Sequence, residues 1–144
     1  MATLADAIRL AVTAHDGQTQ IDGRPYVLHP LHMMFMLEGD EDAMIVAVLH
    51  DVVEDTPVTL DDLRADGYAE HIIAAVEHVT RRDDESYEKF IARIKPHPLA
   101  RKVKLADLRD NMDVLRLPEI RERDVERLRR YRAAWDVLMA EEAR

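Results

Sequence analysis

The sequence predicts an all-α fold, a helical bundle of six to eight helices. Three observations carry that prediction. Apolar residues recur at spacings of three and four, the repeat of one helix face. Glycine and proline fall between those stretches rather than inside them. No segment alternates apolar and polar residues over more than a few positions, as a half-buried strand would.

Leu4, Ile8, Ala11 and Val12 form one stripe, which places a first helix over Thr3–His15. Residues 16–29 carry two glycines and a proline amid mixed polarity and read as a loop, with Pro25–Leu28 as an extended tail. Pro30 suits a first turn and opens a helix through Met36 that stops at Gly39. Asp40 caps the next helix, Glu41–Val53. Thr59 caps a short helix ending at Gly67, and Tyr68–Thr80 forms another. Ser86–Lys95 turns Tyr87, Phe90, Ile91 and Ile94 inward, and Pro96 and Pro98 break it. Leu99–Met112 follows. Pro118 opens a last helix with the apolar stripe Val125, Leu128, Tyr131, Trp135, Leu138 and Met139. No repeat or long linker divides the chain, so residues 1–144 are expected to form a single domain.

Composition narrows the function. The net charge of -9 speaks against general nucleic-acid binding, which calls for a basic surplus, although a local basic patch can still hold a small anion. The absence of cysteine removes disulfides, thiolate metal sites and cysteine nucleophiles together. The N-terminus shows no basic segment followed by an apolar core, and no apolar run approaches the roughly 20 residues of a membrane span. The expected setting is cytoplasmic, with no membrane partner and either a monomer or a homodimer. Neither GxGxxG nor GxxxxGK[ST] occurs among the few glycines, which removes the common nucleotide-binding loops.

The most informative stretch is Met44–Thr56. Its first half is apolar nearly all round, as in a buried helix. Four ionisable groups then follow, His50, Asp51, Glu54 and Asp55, at spacings that share a helix face. Carboxylates beside a core element repel one another and resist desolvation. Either the helix ends in water, or a cation compensates them. Further ligands exist elsewhere: His29 at a Leu-His-Pro junction, and Asp107 on another largely apolar helix. His29, His50, Asp51 and Asp107 make a nitrogen–oxygen set suited to a divalent ion, with Mn²⁺ preferred over Fe²⁺, Zn²⁺ and Mg²⁺. Open coordination positions would leave room for a water acidified toward neutrality. Glu54 and Asp55, one turn on, are placed to take its proton or to protonate a leaving group.

Four strings occur in order: His15-Asp16-Gly17-Gln18, Gly23-Arg24-Pro25-Tyr26-Val27-Leu28-His29-Pro30-Leu31, His50-Asp51-Val52-Val53-Glu54-Asp55-Thr56 and Lys104-Leu105-Ala106-Asp107. Together they resemble the HD-domain hydrolases of the RelA/SpoT group, in the small stand-alone form similar to the metazoan SpoT homologue. The resemblance implies an all-α HD fold and Mn²⁺-dependent removal of the 3′-pyrophosphate from guanosine tetra- and pentaphosphate. It implies the same four metal ligands, an acidic pair Glu54–Asp55 that activates water, and Asn111 near the substrate sugar and phosphate. The chain departs from the family pattern at Gln20-Ile21, where a basic Arg-Lys pair usually holds the purine and phosphates, and at Asp113, where an arginine is usual. These departures leave open an HD phosphohydrolase of another nucleotide or phosphoester. A non-catalytic nucleotide-binding sensor is the alternative of another class, and the Glu54–Asp55 pair speaks against it.

A nucleotide substrate needs cations besides the metal. Arg24, Lys102, Lys104 and Arg109 lie near the motifs, and Gln20, Arg24, Lys104 and Asn111 are the expected substrate-binding residues. His15 either caps the first helix or supports the site from behind. His32 could face the site or solvent; His71, His78 and His97 read as exposed or capping residues. Tyr87 reads as a core aromatic, and the arginines between Arg121 and Arg132 as a solvated face.

Overall fold

The computed structural model describes residues 1–144, which form helices joined by short turns, with one isolated bridge between Thr19 and Pro25. The helices are α1 (Leu4–Ala14), α2 (Leu28–Met36), α3 (Glu41–Leu49), α4 (Val52–Asp55), α5 (Leu60–Ala65), α6 (Glu70–His78), α7 (Tyr87–Ile94), α8 (Pro98–Asn111) and α9 (Glu122–Glu142). Eight of them have six residues or more; α4 is a single turn, and a 3₁₀ turn covers Val114–Arg116. No helix is long and apolar enough to cross a membrane.

Side-chain caps fix most of the starts. Thr3 with Asp6 and Thr59 with Asp62 form reciprocal capping boxes on α1 and α5. Asp40, Ser86 and His97 each accept a backbone N–H from the first turn of α3, α7 and α8. The core is built around α3, which packs against α1, α2, α6 and α8. From Ile45 to Leu49 every residue of α3 is buried, so its apolar composition has a partner on each side. α9 lies across α7 and α8, burying Ala134 and Leu138.

Three segments differ from the sequence-based expectation. Pro25–Leu28 is a turn, because Leu28 and His29 donate to the carbonyls of Pro25 and Tyr26, and α2 begins before Pro30. The helix expected over Glu41–Val53 is interrupted at His50 and Asp51. The last helix starts at Glu122 instead of Pro118; Asp124 accepts the Arg121 N–H at 2.9 Å and supplies the start signal that proline was expected to provide. Its expected stripe holds at Leu138, which is buried, and at Val125, Leu128, Tyr131 and Trp135, which are partly buried; Met139 is exposed, and Asp124 and Ala134 are buried in addition.

The segment between α6 and α7 is pinned by Arg93. Its guanidinium donates to both Glu85 carboxylate oxygens at 2.8 Å and to the Thr80 carbonyl at 2.9 Å. The Arg93 hydrogen bonds hold the Glu85 carboxyl down to about 2, well below its ordinary value. A carboxyl lowered on folding contributes stability in full above its unfolded pKa, roughly 4.3, and loses it as pH falls. Glu85→Gln is therefore expected to lower stability near neutral pH, with the difference from wild type shrinking between pH 4.3 and about 2, read from urea denaturation across that range. Leu138, fully buried on the inner face of α9, offers a test of the core: Leu138→Ala should cost about 2–5 kcal/mol in the same assay.

Candidate active site

Three helices bring ionisable side chains to one place. His29 stands in the first turn of α2, where Pro30 lacks an N–H that would have no helical partner anyway. His50 closes α3, and its ring Nδ1 donates to the Ala47 carbonyl at 2.7 Å. The backbone then leaves helical register at Asp51 (φ -106°, ψ 0°) before α4 resumes at Val52. Neighbours on an unbroken helix diverge by about 100°; across this step both His50 and Asp51 reach the same cavity. On α8, Lys104, Asp107 and Asn111 stand three and four residues apart and share one face.

These groups line a cavity of about 370 Å³, large enough for a small-molecule ligand. On its floor the ligand atoms of His29, His50 and Asp107 lie within 4.8 Å of one another, and so do those of Asp51, Glu54 and Asp55. Asp51 joins the two groups, with Oδ2 3.0 Å from His50 Nε2. Asp107 is held on all sides: Lys104 Nζ lies 2.7 Å from one oxygen, while Asn111 Nδ2 and His29 Nε2 lie 2.8 and 2.9 Å from the other. Tyr26 donates its hydroxyl to Asp51.

The electrostatics follow from burial and pairing. Burial works against a charged imidazole at His29, but Asp107 and Asp110 outweigh it and raise the ring to about 9. At His50, burial is likewise outweighed, chiefly by Asp51. Burial would lift the Asp51 carboxyl, yet His50 brings it down to about 2. Glu54 and Asp55 move the other way, raised mainly by burial and further by Asp51. Glu54 is anchored through one oxygen, which accepts the Arg81 backbone N–H at 2.8 Å.

The donor set fits a divalent ion. His50 Nε2 is sealed from solvent and makes no hydrogen bond, although Asp51 Oδ2 lies 3.0 Å and Asp107 Oδ1 3.7 Å away. Since Nδ1 donates to a carbonyl, Nε2 is the ring nitrogen left facing the two carboxylates, and the site calls for positive charge there, which a proton on Nε2 or a bound cation supplies. Two imidazoles and two carboxylates suit the borderline-to-hard first-row ions. Asp110 completes the picture from behind: His29 Nδ1 lies 2.6 Å from Asp110 Oδ2, which orients the ring and leaves Nε2 facing the cavity.

The sequence-derived residues divide as follows. His29, His50, Asp51, Asp107, Glu54, Gln20, Lys104 and Asn111 line the cavity. Asp55 does not; it is exposed one turn on, with its carboxylate near Asp51 and Glu54. Arg24 is also outside the cavity and exposed. The turn at Gly23 (φ 83°) explains this, because Gln20 N–H donates to the Arg24 carbonyl at 2.7 Å and the reversal puts Gln20 and Ile21, not Arg24, on the cavity wall. Lys102 pairs with Asp40 at 2.7 Å, and Arg109 lies beside Trp135 on the far side of α8. His15 is buried, hydrogen-bonded to Gln18 at 2.8 Å and stacked near Tyr26, so it backs the loop as well as ending α1.

Tyr26, Asp110, Arg116 and Arg127 were not anticipated at the site. The spacing of Asp110 from Asp107 and the place of Tyr26 inside the Gly23–Leu31 string were the available signals. Tyr26 was hidden by the extended reading of its segment, and Arg116 and Arg127 come from regions without motif character.

A model of the HD domain matches residues 7–130. The chain belongs to the HD-domain family. This HD domain is 32% identical over 126 residues to the bifunctional (p)ppGpp synthase/hydrolase SpoT of Escherichia coli K12, covering 78% of this chain and 18% of that protein. It is 31% identical over 120 residues to a guanosine-3′,5′-bis(diphosphate) 3′-pyrophosphohydrolase of Aquifex aeolicus, covering 76% of this chain and 17% of that one. The chain thus spans less than a fifth of the length of these relatives. Among solved structures, a metazoan SpoT orthologue described as hydrolysing ppGpp superposes with a TM-score of 0.84 at 25% identity, covering 96% of this chain and 86% of its own.

Removing the carboxylate behind His29 tests the ion-holding geometry. Asp110→Ala is expected to weaken Mn²⁺ affinity by about 10–100-fold in calorimetric titration while leaving a cooperative melt.

Proposed function

We propose that this chain is a divalent-metal-dependent phosphohydrolase that removes the 3′-pyrophosphate from guanosine tetra- or pentaphosphate. The observation that carries the reading is the unpaired, buried His50 Nε2 between Asp51 and Asp107, with Glu54 on the wall of the same cavity. The likeness to SpoT-type hydrolases over most of the chain supports it. In this reading residues 1–144 are one catalytic domain, working in the cytoplasm as a monomer or homodimer.

His29, His50, Asp51 and Asp107 hold the ion, Mn²⁺ in first preference with Fe²⁺, Zn²⁺ and Mg²⁺ after it. When bound, such an ion supplies positive charge to a phosphate oxygen and acidifies a water. Hydrolysis adds water across the bond between the ribose 3′ oxygen and its phosphorus. The water oxygen ends on pyrophosphate, and a proton ends on the 3′ oxygen. Glu54 suits the role of proton acceptor, because burial raises its carboxyl above the usual range and its anchored oxygen leaves the other free. Asp55, more exposed, passes the proton outward. Lys104, whose ammonium is buried beside Asp107 with Phe90 5.2 Å away, supplies a fixed charge for the phosphates. Asn111 orients the sugar end.

A second reading, hydrolysis of another nucleotide or phosphoester, is favoured by one feature. Ile21 lines the cavity and the Gln20 amide is bonded to Arg116 and Pro25, so the two positions where the family pattern is basic present no cation to a base or phosphate. A panel of phosphorylated nucleotides with each of the four ions decides between them. Pyrophosphate release from guanosine tetraphosphate well above all other substrates supports the first; preference for a nucleoside monophosphate or a 2′-phosphorylated cofactor supports the second. Asp51→Ala is expected to lose both bound ion and turnover. Glu54→Gln should keep the ion while turnover falls by about 10²-fold; full activity in that variant would remove Glu54 from the mechanism.

A further inference from the structure

We propose that Arg116 is a positioning residue that sets, through one guanidinium, both the His29 ring and the Gln20 wall of the cavity. Arg116 lies in the 3₁₀ turn after α8, and its reach links segments that are 96 residues apart. One terminal nitrogen donates to Gln20 Oε1 at 2.7 Å, and the other donates to the Asp110 carbonyl at 2.8 Å. The first of these nitrogens also lies 3.5 Å from the Asp110 carboxylate, whose Oδ2 is 2.6 Å from His29 Nδ1. The path from cavity wall to imidazole is therefore Gln20, Arg116, Asp110, His29.

The third donor of Arg116 shows what fixes its orientation. Nε is sealed from solvent and has no partner. A buried donor left unpaired is destabilising, so the guanidinium plane is set by its bonds to Gln20 and the Asp110 carbonyl and not by satisfying every one of its hydrogens. Gln20 is held from the opposite end as well, where Nε2 donates to the Pro25 carbonyl at 3.2 Å. A lysine could not replace this, since a single ammonium cannot bond the Gln20 amide and the Asp110 carbonyl in one fixed plane. Arg116 itself lines the cavity. A shift of its guanidinium moves the wall and the ring together, so ion affinity and substrate affinity are coupled through this residue.

The assignment rests on the reading of His29 as an ion ligand, and the test separates the two. Mn²⁺ is titrated calorimetrically into wild type, Arg116→Met, Arg116→Lys and Gln20→Ala, well below each melting midpoint. KM and kcat are then measured with guanosine tetraphosphate. Arg116→Met should lose roughly ten-fold in Mn²⁺ affinity and show a raised KM, the scale expected of a residue behind a ligand. Arg116→Lys should shift both quantities in the same direction by less. Gln20→Ala removes one of the two bonds that set the guanidinium and should raise KM and lower Mn²⁺ affinity, the latter by less than Arg116→Met does. A purely structural arginine would lower the melting temperature without moving the Mn²⁺ affinity of the folded protein, and that result overturns the assignment while leaving the function intact. If Arg116→Met does not fold, unchanged Mn²⁺ affinity and KM in Arg116→Lys overturn it equally. A wild type that takes up no Mn²⁺ overturns the underlying reading and this assignment with it.

Discussion

A buried imidazole nitrogen facing two carboxylates is the constraint on which the rest of this molecule depends. His50 Nε2 has no hydrogen-bond partner, and the groups nearest to it are Asp51 and Asp107. Such a cluster survives in a packed interior only if compensating charge is close and every other lone pair is occupied. The surrounding bonds do the second job. Lys104, Asn111 and His29 satisfy Asp107, Tyr26 satisfies Asp51, and Asp110 backs His29. The contributing residues come from α2, the α3–α4 joint and α8, so the packing of these helices about α3 and the integrity of the site are one requirement.

Much of this was legible in the sequence because the ionisable residues interrupt apolar helices. His50 and Asp51 stand out at the end of Met44–Leu49, and Asp107 stands out among Val103, Ala106 and Leu108, all buried. The joint between α3 and α4 was not legible, because nothing in the residues of Leu49–Val53 opposes a helix; the break goes with the Tyr26 hydroxyl bond to Asp51, a contact made across the chain. Arg24 shows the opposite failure. Nearness in sequence to a motif says nothing of direction, and the reversal at Gly23 sends its side chain outward. Arg116 had no signal at all, since its role depends on a contact across most of the chain.

The distribution of charge is compatible with the phosphorylated substrate proposed for this acidic chain. The chain carries a net charge of -9, while beside the carboxylates of Asp51, Glu54, Asp107 and Asp113 the cavity sets Lys104, Arg116 and Arg127. Lys104 is the most buried of these, packed near Phe90 and Tyr87. In such surroundings an ammonium is weakly screened and acts at longer range than the same group in water. The sign of the whole molecule therefore does not reveal which charges the cavity presents.

The step between α3 and α4 has a consequence for engineering. A screen for thermal robustness rewards substitutions that smooth irregular helices, and this joint is the irregularity in the best-buried segment of the chain. Splicing the two helices into one rod would swing Asp51 around the axis and away from its neighbour. The hardier molecule so obtained would be inert, so here durability and chemistry compete for the same few backbone angles.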